Sequence, residues 1–155
     1  MTHIEVAELS REGLYELHKK MWNYMAKMAR SGEIPNKSVA LEYLGINPDK
    51  ILARCPVCHW CSNKLLSVKD SEVTGVTTQK REGHPWNQCN WCLFNWSPDA
   101  KFSIPCVDDA SPYSILNEII YNANRLTIRP SKWRLKEMAE LCETIANLEM
   151  LPVIQ

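Results

Sequence analysis

The segment SREGLYELHKKMWNYMAKMARS, residues 10–31, carries the helical pattern around which the rest of the chain is organised. Its apolar side chains recur every three to four positions, at Leu14, Leu17, Met21, Met25 and Met28. This spacing places them along one face of a helix. Ser10 can cap the N-terminus, and Gly32 stands where a helix C-cap is expected. We therefore predict a helix over residues 10–31 with its apolar stripe against the core.

Further helical segments lie on both sides of a cysteine-rich region. Before that region, the sequence predicts short helices over residues 39–44, capped by Ser38, and over residues 49–53. After it, Ser111 and Ser131 each mark the start of a longer helix with an apolar face.

Composition narrows the class of protein. Lys and Arg total 18, as do Asp and Glu, so a net charge of zero gives no general argument for nucleic-acid binding. No uninterrupted apolar stretch approaches the roughly 18 to 20 residues that span a bilayer. The first 30 residues contain four Glu and no apolar core of a secretory signal. We therefore expect a cytoplasmic protein that does not act at a membrane, in which seven cysteines favour metal binding or catalysis over disulfides.

Two Cys-x-x-Cys motifs, Cys55-Pro-Val-Cys58 and Cys89-Asn-Trp-Cys92, carry the strongest chemical signal in the sequence. Two residues between cysteines allow a tight turn to direct both thiolates at one ion, and two such turns complete a tetrahedral zinc site. Four protein ligands leave no position for water, so the predicted zinc ion is structural. Other cysteines and histidines compete for the same role, and the alternative ligands are Cys61, His84 and Cys106.

The fold class predicted from these features is mainly α with a small β contribution. Helices flank a central four-Cys zinc-knuckle module, and the polar, β-branched residues 64–83 are expected to add a short β-hairpin, although a loop fits them as well. We predict a single domain over residues 1–155. Within it, residues 10–53 form N-terminal helices, residues 54–106 the zinc module and residues 111–150 the C-terminal helices.

Catalytic machinery is not evident, and we predict no enzyme and no catalytic residues. A glycine-rich phosphate loop, a nucleophile elbow and paired carboxylates are all missing from the sequence. A redox Cys-x-x-Cys motif would follow a strand, whereas Cys55 follows a helical segment. A cysteine nucleophile with His59 or His84 as its partner stays open as a lesser alternative. Cys142 lies on the apolar stripe of the last helix and is expected to be buried.

Candidate partner-binding residues fall into two groups. Tryptophan dominates the binding energy of many interfaces, and four of the six fall in the cysteine region, at Trp60, Trp86, Trp91 and Trp96. Packing of these indoles around the metal module is the competing interpretation. The second group is a segment with five basic and no acidic residues, comprising Arg125, Arg129, Lys132, Trp133, Arg134 and Lys136. Because basic side chains at a helix start oppose the helix dipole, this segment is predicted to bind phosphates or an acidic protein surface, with a solvated face as the alternative.

The order of several motifs resembles that of small uncharacterised, cysteine-rich proteins of phages and prophages of Gram-positive bacteria. The motifs are Leu17-His-Lys-Lys-Met-Trp-Asn-Tyr-Met-Ala26, Cys55-Pro-Val-Cys58-His-Trp60, Cys89-Asn-Trp-Cys92 with Trp96, Cys106 with Ser111-Pro-Tyr113, and Ile145-Ala-Asn-Leu148. The resemblance implies a zinc-stabilised phage accessory protein in the cytoplasm of the bacterial host cell, and it brings no catalytic residues with it.

The leading functional hypothesis is a non-enzymatic module that binds a host protein. We expect it to modulate or inhibit that protein, which would belong to a defence system or to transcription. Nucleic-acid binding through residues 125–136 is the alternative, and a thiol-dependent enzyme is the less favoured one. The sequence leaves the oligomeric state open.

Overall fold

The computed structural model describes residues 1–67, 92–96, 106–126 and 129–150, with the backbone alone for residues 64–67. Six α-helices lie within these ranges, and two 3-10 turns, Pro48–Lys50 and Leu52–Arg54, precede the fourth. In chain order the helices are α1 His3–Glu8, α2 Arg11–Arg30, α3 Lys37–Tyr43, α4 Pro56–Ser67, α5 Pro112–Arg125 and α6 Lys132–Ala146.

Side-chain caps explain where the longer helices begin. The hydroxyl of Ser10 accepts the N–H of Gly13 over 3.0 Å at the start of α2. Ser111 and Ser131 accept in the same way at the starts of α5 and α6. Each cap satisfies a backbone donor that the helix itself leaves without a partner, and contributes about 1 kcal/mol.

The end of α2 requires glycine. Gly32 has a φ of 97°, in the left-handed region that side chains disfavour. The N–H of Gly32 donates to the Ala29 carbonyl over 3.1 Å, and that of Glu33 donates to the Met28 carbonyl over 2.9 Å. These two hydrogen bonds together form a Schellman motif, so the predicted role of Gly32 at the end of the helix is confirmed.

The core is built around α2, which packs along α6 and also contacts α3 and α4. Leu14 and Met21 of α2 join Met138 and Ile145 of α6 in one buried apolar cluster. A fully buried side chain of this size stabilises the fold by about 1.5 to 3 kcal/mol. The five apolar residues predicted to face the core from residues 10–31 are all buried, which confirms that stripe.

The predicted fold class is wrong in its central module. In the ranges that the structure describes, the chain is mainly helical and contains no strand; β-type pairing there is limited to one isolated bridge between Phe94 and Met150. No group of three or more His, Cys, Asp or Glu side chains is placed there to hold a metal ion. Instead of a knuckle turn, Cys55-Pro-Val-Cys58 begins α4, because the fixed φ of Pro56 suits the first position of a helix. Residues 68–83 of the predicted hairpin lie outside the described residues.

Local boundaries also differ from the predictions near α3. Asn36 rather than Ser38 caps α3, since its Oδ1 atom accepts the N–H of Val39 over 3.2 Å. Residues 49–53 form parts of two 3-10 turns instead of one helix, because Ala53 adopts a left-handed conformation with a φ of 53°.

Helices α1 and α4 were not predicted from the sequence. A capping box marks the start of α1, in which Thr2 and Glu5 each accept a backbone N–H of the other. None of the helices that the structure describes is long and apolar enough to cross a membrane.

Candidate functional site

Cys55 and Cys58 lie at the N-terminus of α4. Cys55 directly precedes Pro56, the first residue of the helix, and the Cys58 N–H donates to the Cys55 sulfur over 3.5 Å. Just before them, Ala53 and Arg54 both have left-handed backbones, with φ values of 53° and 50°. This reversal lets the chain leave the second 3-10 turn and enter α4 with Cys55 at its positive end. A helix N-terminus stabilises a thiolate because its N–H groups carry partial positive charge.

The two thiols of this motif differ in protonation. A hydrogen bond with the Cys58 side chain lowers the pKa of Cys55 to about 6, and Lys37 and the N–H groups of Cys58 and Val57 act in the same direction. That hydrogen bond, together with burial, raises the pKa of Cys58. At neutral pH Cys55 is therefore the thiolate of the pair, and Cys58 is the thiol that donates to it.

Lys37, in the first turn of α3, supplies a cation to the site. Its Nζ atom donates to the Ala53 carbonyl over 2.9 Å and to the Tyr113 hydroxyl over 2.6 Å, and lies 4.8 Å from the centre of the Tyr113 ring. Burial acts to lower the pKa of Lys37, but attraction to Tyr113 and to the Cys55 sulfur outweighs it, and the net effect raises the pKa. Lys37 thus links α3, the turn before α4 and the start of α5 around the thiolate.

A cavity of about 410 Å³ opens beside these groups. Cys55, Cys58 and Cys106 line it, together with the indoles of Trp22 and Trp96. We call it the thiol pocket. A largely apolar wall around a few convergent polar groups is typical of a binding site.

Residues 92–96 are distant from Cys55 in the sequence, but their last residue, Trp96, lines the thiol pocket. The bridge between Phe94 and Met150, and a 3.0 Å bond from the Asn95 N–H to the Glu149 carbonyl, hold this segment against the residues that follow α6. The indole Nε1 of Trp96 then donates to the Cys92 sulfur over 3.3 Å. Trp96 therefore connects Cys92 to the pocket wall.

Three of the four predicted zinc ligands, Cys55, Cys58 and Cys92, are described by the structure, whereas Cys89 lies outside the described residues. Besides the Cys55 hydrogen bond and burial, the charges of Cys92 and Cys106 also raise the pKa of Cys58, so these sulfurs are within electrostatic range of one another. The donor chemistry suits zinc, which binds cysteine as thiolate. The described sulfurs are nevertheless not gathered tightly enough to form a metal-binding group, and the four-ligand set stays a prediction.

The alternative ligands occupy different environments. Cys106 lines the thiol pocket, and its carbonyl accepts a hydrogen bond from the Ser111 hydroxyl at the start of α5. Cys61 is buried in the apolar core, and His84 lies outside the described residues. His59 is held by the backbone, because its Nδ1 atom accepts the Leu52 N–H over 3.3 Å and its Nε2 atom lies 2.9 Å from the His3 carbonyl.

Two of the tryptophans predicted to contact a partner lie inside the protein. Trp60 and Trp96 are each 3% exposed, and the Nε1 atom of Trp60 donates to the Leu9 carbonyl over 2.8 Å. Their indoles complete the core between helices, so they offer no surface to a partner in this structure. Trp86 and Trp91 lie outside the described residues.

The basic segment is on the surface. Trp133 is 65% exposed, and the Arg134 guanidinium lies 5.0 Å from the centre of its ring. The remaining members of the predicted set are also exposed, namely Arg125, Arg129, Lys132 and Lys136. Arg134 forms an ion pair with Glu137 at 2.9 Å, whereas Lys136 approaches Glu140 only to 3.8 Å. Exposed pairs of this kind contribute about 0 to 1 kcal/mol, so stability does not explain the cluster of basic residues.

Sequence reasoning missed two residues that the structure places centrally. Lys37 has no sequence signal, because its partners Ala53 and Tyr113 are distant in the chain. His18 is 1% exposed, stacks on Phe94 with ring centres 4.1 Å apart, and donates from Nε2 to the Ile145 carbonyl over 2.7 Å. Burial lowers the pKa of His18 to about 4. Burial also raises the pKa of Cys142 to about 12, and the expected burial of Cys142 is confirmed.

Comparison of the chain with protein-family models, with curated proteins and with solved structures finds no match in any of the three. The resemblance to phage and prophage proteins therefore stays a prediction.

Proposed function

We propose that this chain is a non-enzymatic protein-binding module, encoded by a phage, that modulates or inhibits a host protein in the cytoplasm of a bacterial cell. The target would belong to a defence system or to transcription. The observation that carries the proposal is the 65% exposure of Trp133 on α6. An indole left in water is a costly surface feature unless a partner covers it, and tryptophan is among the residues most enriched at binding hot spots.

The surroundings of Trp133 support this choice of surface. Arginine, like tryptophan, is enriched at hot spots, and Arg129 and Arg134 are exposed close to Trp133 in the chain. The Arg134 guanidinium lies 5.0 Å from the centre of the Trp133 ring, so charge and apolar area adjoin there. The surface therefore combines apolar area with fixed positive charge, which suits a partner that presents apolar and acidic groups together.

Zinc enters this proposal as a structural ion, with Cys55, Cys58, Cys89 and Cys92 as the expected ligands. The support is the thiolate form that Cys55 adopts at neutral pH, since thiolate is the form that binds the metal. Zinc would cross-link the start of α4 to the second Cys-x-x-Cys motif. We assign no chemical step to it.

Capture from the lysate of a bacterial host tests the protein-binding proposal. The tagged wild-type chain, Trp133→Ala and Tyr121→Ala are compared, and any complex is checked for constant stoichiometry by size-exclusion chromatography and mass spectrometry. Tyr121 is a matched control because it is also aromatic and 65% exposed, but lies on α5. We expect a single partner that Trp133→Ala loses and Tyr121→Ala retains. Equal capture by both variants, or no stoichiometric partner at all, would contradict the proposal.

A further inference from the structure

A groove of about 730 Å³ runs between the end of α2 and the start of α6. Its charged lining comprises Arg30, Arg129, Lys132 and Lys136, and Pro130 and Leu135 provide an apolar floor. We call it the basic groove. The sequence pattern pointed to residues 125–136 but not to Arg30, which the tertiary structure adds from α2.

The packing of Arg129 against α2 forms one wall of the basic groove. A Cβ atom at Gly32 would lie 3.2 Å from the Nη2 atom of Arg129, so the guanidinium rests directly over the glycine that ends α2. The C-terminal end of a helix carries partial negative charge, which favours a cation there. Gly32 therefore serves twice, because it ends α2 and makes room for Arg129.

The four cations of the groove are not equally neutralised. Arg30 is bound to Glu143, with 2.9 Å between Nε and Oε1, and Lys136 lies 3.8 Å from Glu140. Among the described residues, neither Arg129 nor Lys132 forms an ion pair within 4 Å. Arg129 and Lys132 are therefore the groove cations that an anionic ligand can pair with most readily.

The acidic side chains near the basic groove indicate which class of anionic ligand the groove can bind. Along α6 the basic residues at the start give way to Glu137, Glu140 and Glu143, and Glu140 and Glu143 line a neighbouring surface. A nucleic-acid strand carries phosphates along its whole length and would meet these carboxylates beyond the groove. A short acidic stretch of a protein carries its charge only locally. Its apolar neighbours could then extend beyond the groove lining to Trp133, which is exposed in the same first turn of α6 as Lys132.

We propose that the basic groove binds a short acidic segment of a protein partner, with carboxylates at Arg129 and Lys132 and an apolar side chain against Trp133. This inference rests on the proposed protein-binding function and specifies the chemistry of the partner. Because exposed charges are screened by salt, the affinity falls as ionic strength rises.

Direct titration of the purified full chain with synthetic probes tests the groove. The probes are a fluorescent peptide rich in Glu and Asp with one Leu, the same peptide with Gln and Asn in place of the acids, and a single-stranded oligothymidine. We expect the acidic peptide to bind at least about tenfold more tightly than the neutral peptide and than the oligonucleotide at the same salt concentration. Equal binding of the two peptides would overturn the inference, and tighter binding of the oligonucleotide would replace it with a nucleic-acid site.

Paired variants locate the site. Arg129→Gln/Lys132→Gln removes the two groove cations that have no ion pair among the described residues, and Lys20→Gln/Lys50→Gln removes two exposed lysines outside the groove. We expect about a tenfold loss of affinity for the acidic peptide in the first double variant and less than about a twofold change in the second. Lys132→Glu alone, which leaves the Arg129 packing intact, is expected to weaken binding as well. Equal losses in the two double variants would contradict the location.

The same variants separate this inference from the proposed function. If Trp133→Ala loses the captured partner while Arg129→Gln/Lys132→Gln retains it, and the acidic peptide does not bind, the groove inference fails and the protein-binding function stands. If the acidic peptide binds in the groove but no partner depends on Trp133, the proposed function fails instead.

Discussion

The thiol pocket and the basic groove both lie beside the first turn of a helix, but their charged groups relate to that helix in opposite ways. At α4 the Cys55 thiolate faces the positive end of the helix and the Lys37 ammonium, and the attractions among these partly buried groups favour the fold. At α6, Lys132 of the basic groove and its neighbour Arg134 are exposed in the first turn, at the positive end of the helix, where the dipole repels them by a few tenths of a kcal/mol each.

This difference separates charges that the helix dipole stabilises from charges that it destabilises. A natural sequence tolerates charges that each cost a few tenths of a kcal/mol, because selection removes only variants that fall below the stability needed for function. The charges of the thiol pocket therefore stabilise the fold, whereas Lys132 and Arg134 carry a small cost that the proposed binding function would offset.

Metal removal should give the largest effect. If zinc is the structural ion of the chain, a chelator should abolish cooperative thermal unfolding, because structural zinc sites contribute on the order of 10 kcal/mol. Metal analysis of the purified protein should find stoichiometric zinc, lost in Cys55→Ser/Cys58→Ser and kept in Cys142→Ala. An unchanged melting transition after chelation, or protein without zinc, would refute the structural ion and leave the attraction between Cys55 and Lys37 as the stabilising contribution of the thiol pocket.

Acid should lower the free energy of unfolding through the buried His18 side chain. Its pKa is about 4 when folded against an ordinary value of 6.5, so the unfolded chain takes up the proton first as the pH falls. Stability should therefore be complete above pH 6.5 and decrease down to about pH 4, by about 3 kcal/mol for this group.

Urea denaturation across this pH range measures the effect of His18. His18→Gln, which can keep a donor toward the Ile145 carbonyl, should flatten the decrease, and His3→Gln at the partly exposed His3 should leave it unchanged. A pH profile that is the same in His18→Gln and in the wild-type chain would show that His18 is not the responsible group.

The start of α6 should lose stability when its cap is removed. The Ser131 hydroxyl accepts the Arg134 N–H over 3.2 Å, so Ser131→Ala should lower the free energy of unfolding by about 1 kcal/mol. Ser131→Thr keeps an acceptor and serves as the control. Denaturant titration that finds equal stability in both variants would argue that the first turn of α6 is not held by this cap.

Charge reversal beside the same cap should have the smallest effect on stability and the opposite sign. Lys132→Glu should raise the free energy of unfolding by about 0.3 to 1 kcal/mol, because a carboxylate suits the positive end of the helix. The same variant is expected to bind the acidic peptide more weakly, so stability and affinity change in opposite directions. A variant that is less stable than the wild type would remove the argument that Lys132 is kept for binding.

Local signals explain how far the helices could be predicted. Residues 10–31 were predicted as a helix because the Ser10 cap, the apolar spacing from Leu14 onward and the glycine at 32 all lie within one segment. The capping box of Thr2 and Glu5 is a similar local signal for the start of α1. The region around Cys55 was misread because Pro56 suits a knuckle turn and the first turn of a helix equally, and two residues cannot distinguish these.

The candidate sites depend on burial and long-range contacts, which local sequence signals do not predict. Among the tryptophans, Trp60 and Trp96 are buried and Trp133 is exposed, although all three have polar or charged neighbours in the sequence. Burial is decided by which helix covers an indole, and that depends on contacts between distant residues. The same holds for Lys37, whose bond to Tyr113 spans 76 positions.

Three features of this chain can be read directly from its sequence: amphipathic helices with defined starts, cysteines concentrated in the middle third, and only positive charge over residues 125–136. These are properties of neighbouring residues, and helix periodicity and capping act over a few positions. Two further features depend on how the helices pack: Lys37 and Tyr113 lie beside Cys55, and Arg30 joins Arg129 and Lys132 in one groove. Both arrangements follow from the packing of α2 against its neighbours, which is set by burial of apolar area between segments far apart in the chain.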